Sequence, residues 1–262
     1  MSDAAALLAT FQSAALAAGR DILGFYRQAP AVKEKADLSP VTDADERAER
    51  LIIDRLTADA PSIPVIAEEE VAQGKRRQIG GRFILVDPLD GTREFIAQRP
   101  EFTVNIALIE DGEPVIGFVY APALAVAYAG SCDGAWRLGI GTDFNVTGRS
   151  GIRVRKASAS RVALSSRSHE SPETVNYLRQ QGISEVRRLG SSLKFCLVAE
   201  GAADIYPRFG RTMEWDTAAG DAVLRAAGGR TETLDGAPLR YGKIGRREEA
   251  DFVNPDFIST GY

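Results

Sequence analysis

Six consecutive residues, Asp87-Pro88-Leu89-Asp90-Gly91-Thr92, carry the densest chemistry in this 262-residue chain. They follow an apolar run at 83–86 and precede Arg93-Glu94-Phe95-Ile96, which can begin a helix. Pro88 fixes its own φ and biases Asp87 toward an extended backbone. A turn of that kind brings Asp87, the Leu89 carbonyl and Asp90 to one side. Gly91 allows close backbone approach, and the Gly91 and Thr92 N–H groups fall at a helix start, where anions bind. Two carboxylates, a carbonyl, a hydroxyl and phosphate-ready amides suit a hard cation and a phosphate together. Taken alone, the segment has as its lesser reading a polar strand-to-helix turn with an aspartate cap.

Three more acidic patches each have an ordinary alternative. Asp216, in Glu214-Trp215-Asp216-Thr217-Ala218-Ala219-Gly220, stands directly before an expected helix and reads alone as its N-cap. Glu68-Glu69-Glu70 follows a strand end and reads alone as a solvated acidic loop, and Thr42-Asp43-Ala44-Asp45 reads as helix capping. All four patches fall at ends of secondary elements, where α/β folds place their ligands. His169 alone reads as a surface histidine in a polar loop, and Lys194 as a solvated helix residue. Phe195, Leu197 and Val198 are core candidates, and Cys196 is a small buried hydrophobe.

With one histidine and two cysteines, a zinc site of several imidazoles or thiolates and a disulfide framework are both excluded. A metal site here must be built from oxygens and hold a hard cation such as Mg²⁺. The balance of 32 basic against 36 acidic residues, net −4, disfavours a binder of nucleic-acid polymers. A composition 44% hydrophobic and 26% charged is that of an ordinary globular protein, not a disordered one. No window approaches the ~18 apolar residues of a membrane span. Met1-Ser2-Asp3 offers no basic stretch before the Ala-rich run, so no secretory leader is expected. The chain reads as cytoplasmic, which is compatible with peripheral association at the inner membrane face. Oligomeric state is not legible.

The elements that must position these groups follow from periodicity. Apolar residues three and four apart predict helices over 4–27 and 44–58, the second with a capping box from Asp43 to Glu46. Short apolar runs predict strands at 65–67, 83–86, 103–109, 115–120 and 125–129, with Asp111-Gly112 turning a hairpin. Further on, 162–164 and 204–206 read as strands, and 172–181, 192–200 and 217–227 as helices, the last stopped by Gly228-Gly229. Strands interleaved with helices imply an α/β (α+β) layered sandwich. A change of pattern near residue 135 divides it into interdependent subdomains, 1–135 with most acidic candidates and 136–262 with Asp216.

Ala67-Glu68-Glu69, the hexapeptide 87–92 and Trp215-Asp216-Thr217-Ala218-Ala219-Gly220, in this order and spacing, resemble the inositol-monophosphatase superfamily of Mg²⁺-dependent, lithium-sensitive phosphatases. The resemblance covers nearly the whole chain and implies that family's αβαβα phosphatase fold. Within the superfamily the chain most resembles the bacterial CysQ-type 3′(2′),5′-bisphosphate nucleotidases. Inositol monophosphatases usually continue the hexapeptide with Thr-Asn, whereas Arg93-Glu94 is similar to the nucleotidase Lys-Glu. Residues 101–108, Ser166-Arg167-Ser168-His169, 190–196 and 206–210 also look like the nucleotidase version. Arg93 in place of Lys keeps the charge but not the geometry.

The resemblance implies that Glu68, Asp87 and the Leu89 carbonyl hold one Mg²⁺, and that Asp87, Asp90 and Asp216 hold a second. A third, looser ion near Glu68 is part of the family pattern. It further implies that Asp45 and Thr92 orient the attacking water, with Glu68 and Gly91 at the reacting phosphate. His169 and Ser168 would contact the nucleotide, and Ser191, Lys194 and Arg208 its second phosphate. Two divalent cations neutralise the charge of a phosphate monoester and supply a hydroxide-like water in line with the leaving oxygen. The expected reaction is hydrolysis of adenosine 3′,5′-bisphosphate to AMP and phosphate, with its sulfated analogue as a second substrate, in sulfur metabolism. A phosphatase of inositol monophosphate or fructose 1,6-bisphosphate is the alternative. A catalytically silent phosphate-binding protein is the third reading.

Overall fold

A computed structural model describes residues 3–28, 32–34 (backbone), 40–75, 78–156, 160–246 and 249–262. The N-terminal helix α1 (Asp3–Tyr26) leads to a small antiparallel hairpin, β1 (Val32–Glu34) and β2 (Pro40–Thr42), and then to helix α2 (Asp43–Asp59). After β3 (Val65–Ala67) comes a short helix α3 (Glu68–Ala72), then β4 (Arg82–Asp90) and a second short helix, α4 (Thr92–Ile96). An antiparallel meander follows: β5 (Thr103–Glu110), β6 (Glu113–Ala121), β7 (Val126–Ser131), β8 (Gly134–Ile140) and β9 (Val146–Gly151). Strands β3 to β9 form one seven-stranded sheet in sequence order.

The second half builds a mixed five-stranded sheet. Its elements are β10 (Val162–Ser166), α5 (Pro172–Gln180), β11 (Glu185–Leu189), α6 (Leu193–Ala199), β12 (Ile205–Arg208), α7 (Glu214–Ala226), β13 (Arg230–Thr233) and β14 (Phe257–Thr260). The order is β11-β10-β12-β14-β13, with β10, β11 and β12 parallel.

Alternation along the strands sorts the apolar residues into layers, because successive side chains leave a strand on opposite faces. Ile84 and Val86 join the cluster under α1 and α2, while Phe83 and Leu85 join the one under α6 and α7. Val162 and Leu164 face that same central cluster, whereas Ala163 faces Leu178 of α5. The layers are therefore α1/α2, large sheet, α6/α7, small sheet and α5, the expected αβαβα sandwich. Helix α7 lies very close to the large sheet. A Cβ at Gly117 would stand 2.3 Å from the Ala219 carbonyl oxygen, and one at Gly130 2.6 Å from Val223 Cα.

Four local features differ from the sequence expectations. Strand β4 does not end before the hexapeptide but runs through Asp90, with the pairing slipping between Asp87↔Asn105 and Asp90↔Thr103. That bulge absorbs Pro88, which has no N–H to give a ladder. The turn itself comes at Gly91, whose φ of 92° is left-handed. The capping box at α2 is Thr42 with Asp45, one residue earlier than Asp43 with Glu46. Strands β8, β9, β11, β13 and β14 were not legible; of these β9, β11 and β13 are edge strands, and β9, exposed along its whole length, carries no apolar alternation. Sheet membership changes between Gly151 and Val162; residue 135 lies at the start of β8, inside the large sheet.

Candidate active site

The parallel strands point their carboxyl ends into one cleft of about 1180 Å³. Glu68 follows β3, Asp87 and Asp90 end β4, Ser168 and His169 follow β10, Ser191 follows β11, and Arg208 ends β12. This is the place where open α/β sheets put their ligands.

Short-range hydrogen bonds aim the carboxylates. Asp87 Oδ1 accepts the Leu89 N–H at 3.0 Å, and Asp216 Oδ2 accepts the Met213 N–H at 2.8 Å. Asp216 is thus the third residue of α7, reaching back to Met213, and not its N-cap. Glu68 opens the first turn of α3, and Glu69 beside it is buried, so this triplet is not a solvated loop. One carboxylate oxygen from each of Glu68, Asp87 and Asp216 lies within 4.8 Å of the others. Asp90 Oδ2 accepts from the Ser192 N–H and from Asn105 Nδ2. Asn105 Oδ1 in turn accepts the Ser192 hydroxyl at 2.7 Å.

The electrostatics test whether a cation belongs here. Desolvation holds the Asp90 and Asp216 carboxyls above the ordinary range, and for Asp216 the charges of Asp90 and Glu68 add to it. Buried like charges facing one another resist ionisation unless a cation joins them. The donors are all oxygens, so the set fits a hard divalent ion.

Thr92 completes this side. Its hydroxyl stands 3.1 Å from Asp45 Oδ1 and 3.2 Å from the Leu89 carbonyl. Asp45 lies behind it rather than on the cleft wall, its Oδ2 occupied by the Thr42 hydroxyl and N–H at 2.6 and 2.8 Å. Helix α4 is anchored by Phe95, whose ring packs with Tyr26 and Phe102 at centroid distances of 5.6 and 5.2 Å.

The opposite wall is cationic. Lys194 is only 4% exposed, not solvated, and its Nζ donates to the Ser191 carbonyl and stands 5.2 Å from the Tyr206 ring centre. Burial pushes its ammonium down to about 8, against the opposing pull of Asp90. Arg208, 8% exposed, donates to the carbonyls of His169 (2.7 Å) and Arg211 (3.0 Å). Its Nε is buried with no hydrogen-bond partner among the described residues. Ser191 takes a left-handed φ of 52°, which turns the loop into α6. His169 is exposed at the cleft mouth, yet crowding by protein and then Arg208 and Arg93 push its imidazole down to about 4. The Ser168 hydroxyl donates to Glu94 at 2.6 Å. Every sequence-derived candidate except Asp45 lines this cleft.

Several buried polar residues had escaped the sequence reading. Glu49 accepts the Glu69 and Glu70 N–H groups at 2.7 and 2.9 Å and so holds the first turn of α3. Desolvation raises its carboxyl to about 7. Glu94, Asn105 and Ser192 support the cleft walls in the same way. The available signals were Asn105, a polar residue inside an apolar strand, and the family likeness of Arg93-Glu94.

A model of the inositol monophosphatase family matches residues 3–254. The chain is 46% identical over 247 residues to the 3′(2′),5′-bisphosphate nucleotidase CysQ of Salmonella typhimurium, covering 94% of this chain and 96% of that one. It is 48% identical over 231 residues to the Shigella flexneri protein of the same name, covering 88% and 89%. Among solved structures it is similar to CysQ from Bacteroides thetaiotaomicron, with 37% identity and a TM-score of 0.77 over 97% of this chain and 96% of that one. An IMPase from Thermotoga maritima gives 25% identity and a TM-score of 0.75 over 95% and 90%.

Proposed function

The chain belongs to the inositol monophosphatase family, and within it we propose a 3′(2′),5′-bisphosphate nucleotidase that hydrolyses adenosine 3′,5′-bisphosphate to AMP and phosphate. The sulfated analogue is a second substrate, and the reaction serves nucleotide recycling in sulfur metabolism. The observation that carries this reading is one cleft with two unlike walls. One holds the carboxylate cluster, and the other holds buried Lys194 and an Arg208 whose Nε is unpartnered. An inositol monophosphate has no second phosphate for the cationic wall.

Glu68, Asp87, Asp90, Asp216 and the Leu89 carbonyl would hold Mg²⁺, two ions with a third looser one, which neutralises phosphate charge and lowers the pKa of a bound water. The Thr92 hydroxyl hydrogen goes preferentially to the charged Asp45, since charge-assisted bonds are the stronger ones. Its oxygen is then left as an acceptor, fit to orient a water and draw on its hydrogen. On the far wall, Lys194 and Arg208 bind the phosphate that is not cleaved, with Ser191 shaping their loop. His169 is neutral at pH 7 and suits contact with a base rather than a phosphate.

The test is a substrate panel with Mg²⁺, comparing kcat/KM for adenosine 3′,5′-bisphosphate, its sulfated analogue, inositol monophosphate and fructose 1,6-bisphosphate. A clear preference for the bisphosphate nucleotide is expected. Equal or better turnover of the sugar phosphates overturns the reading, and absence of phosphate release from all four would make the chain a binding protein. Titrating Li⁺ and Ca²⁺ against Mg²⁺ should show inhibition by the first and competition by the second.

A further inference from the structure

Glu94 sits on the five-residue helix α4, 4% exposed, with a carboxylate buried at the centre of three loops. A Cβ placed on Gly190 would stand 2.5 Å from Glu94 Cγ, so the Gly190 backbone lies flat against this side chain. A Cβ on Gly91 would stand 3.4 Å from Glu94 Oε2. From the third loop, Ser168 Oγ donates to Glu94 Oε1 at 2.6 Å. The Gly190 loop carries Ser191 and leads to Lys194 on α6, the Gly91 turn follows Asp90, and the third loop carries Ser168 with His169. The negative charge of Glu94 also acts on Lys194 and His169.

A second carboxylate backs the same attachment. Arg167 binds both oxygens of Glu101 at 2.8 and 3.3 Å and donates to the Arg188 carbonyl at 2.9 Å. The loop after β10 is thus tied to the large-sheet segment 94–101 at two adjacent residues.

We propose that Glu94 is a specificity-determining positioning residue, fixing the Ser168–His169 loop against the metal-site loop so that the cleft takes a bisphosphate nucleotide. This rests on the proposed function. One consequence concerns Ser168. Its single hydroxyl hydrogen is committed to a carboxylate, and a phosphate offers only acceptors, so Ser168 acts through Glu94 rather than as a phosphate donor. Asparagine at position 94, one methylene shorter, cannot make the 2.6 Å contact.

The experiment compares wild type with Glu94→Asn and Glu94→Gln. The substrates are adenosine 3′,5′-bisphosphate and adenosine 3′-monophosphate, with the Mg²⁺ half-saturation, thermal midpoint and calorimetric Kd for AMP also measured. Glu94→Asn should lower kcat/KM for the bisphosphate on the order of tenfold or more, chiefly through KM. It should weaken AMP by a similar factor and leave the monophosphate and Mg²⁺ dependence within about twofold. Glu94→Gln keeps the length and an acceptor oxygen and should recover most of the loss.

Equal losses on both substrates with weakened Mg²⁺ would overturn the proposal, as would unchanged selectivity in Glu94→Asn. Should Glu94→Asn fail to fold, Ser168→Ala decides, alone and in the Glu94→Gln background. Non-additive losses support action through Glu94, and full independent losses overturn it. A wild-type enzyme without preference for the bisphosphate sinks the proposed function, and this inference with it. That failure is distinguishable because it shows in the unmutated chain.

Discussion

The two walls of the cleft are held by different mixtures of local and distant contacts. On the acidic wall Asp87, Asp216 and Asp45 are aimed locally: Leu89 N–H to Asp87, Met213 N–H to Asp216, and Thr42 to Asp45 are two or three residues apart. On the cationic wall Lys194 and Arg208 each bond a carbonyl three residues away, but the loops are joined by distant contacts: Arg208 to the His169 carbonyl spans 39 residues, and Ser168 to Glu94 spans 74. Local bonds fix carboxylates as soon as β4 and α7 form. Distant ones exist only once the two sheets have packed around α6 and α7. The acidic wall is therefore the place for chemistry that tolerates no displacement. The cationic wall is where substrate choice can be changed without destroying that chemistry.

The sharpest way to break this comparison is at Asp90, which belongs to the acidic wall but takes its Oδ2 partner, Ser192, from 102 residues away. Asp90→Asn should nearly abolish turnover of every substrate, well beyond the ~10²-fold typical of losing a supporting residue, with far-UV circular dichroism unchanged. Near-wild-type rates in the folded variant would remove Asp90 from the metal set.

Next in size is Lys194→Ala. One charge-assisted contact is worth roughly 1.5–3 kcal/mol, and each 1.36 kcal/mol is tenfold. Bisphosphate kcat/KM should fall between about tenfold and a hundredfold, while a monophosphate barely changes. Equal losses on both substrates would show that the walls are not separable.

Glu49→Gln probes the support under the acidic wall. Its amide can accept from only one of the two α3 N–H groups and presents NH₂ to the other. The Mg²⁺ half-saturation should rise roughly tenfold, with the relative rates of different substrates unchanged. Altered selectivity with intact Mg²⁺ affinity would contradict the assignment.

The smallest effect near neutral pH is a pH dependence. Lys194 is charged below about 8 and neutral above it. Bisphosphate kcat/KM should therefore decline through that region toward the Lys194→Ala level, and monophosphate kcat/KM should not show the same step. Lys194→Arg should remove the decline. A common profile for both substrates would assign the titration elsewhere.

The hexapeptide was legible because residue type, a fixing proline and a permissive glycine act over a few positions, whereas Glu68 and Asp216 stood out only through the family resemblance. The same holds for α1, α2, α7 and the apolar strands, whose periodicity is a property of the chain alone. The sequence could not show that β4 continues through a bulge to Asp90, because the bulge is defined by pairing with Asn105 and Thr103 on β5. Nor could it show that Lys194 is buried, since a lysine on a short helix is solvated until α6 is covered from both sides. Glu49 carries no sequence signal, and Glu94 carries only the family likeness of Arg93-Glu94, because a glutamate in a helix differs from its solvated neighbours only by what packs against it. The sequence alone indicated the layered class and an oxygen-donor hexapeptide, and its family resemblance indicated the wider carboxylate set and a phosphate chemistry. Tertiary packing decided which cations face those carboxylates and which buried acids hold the loops. The reason is that desolvation and long-range hydrogen bonds exist only between segments the fold has brought together.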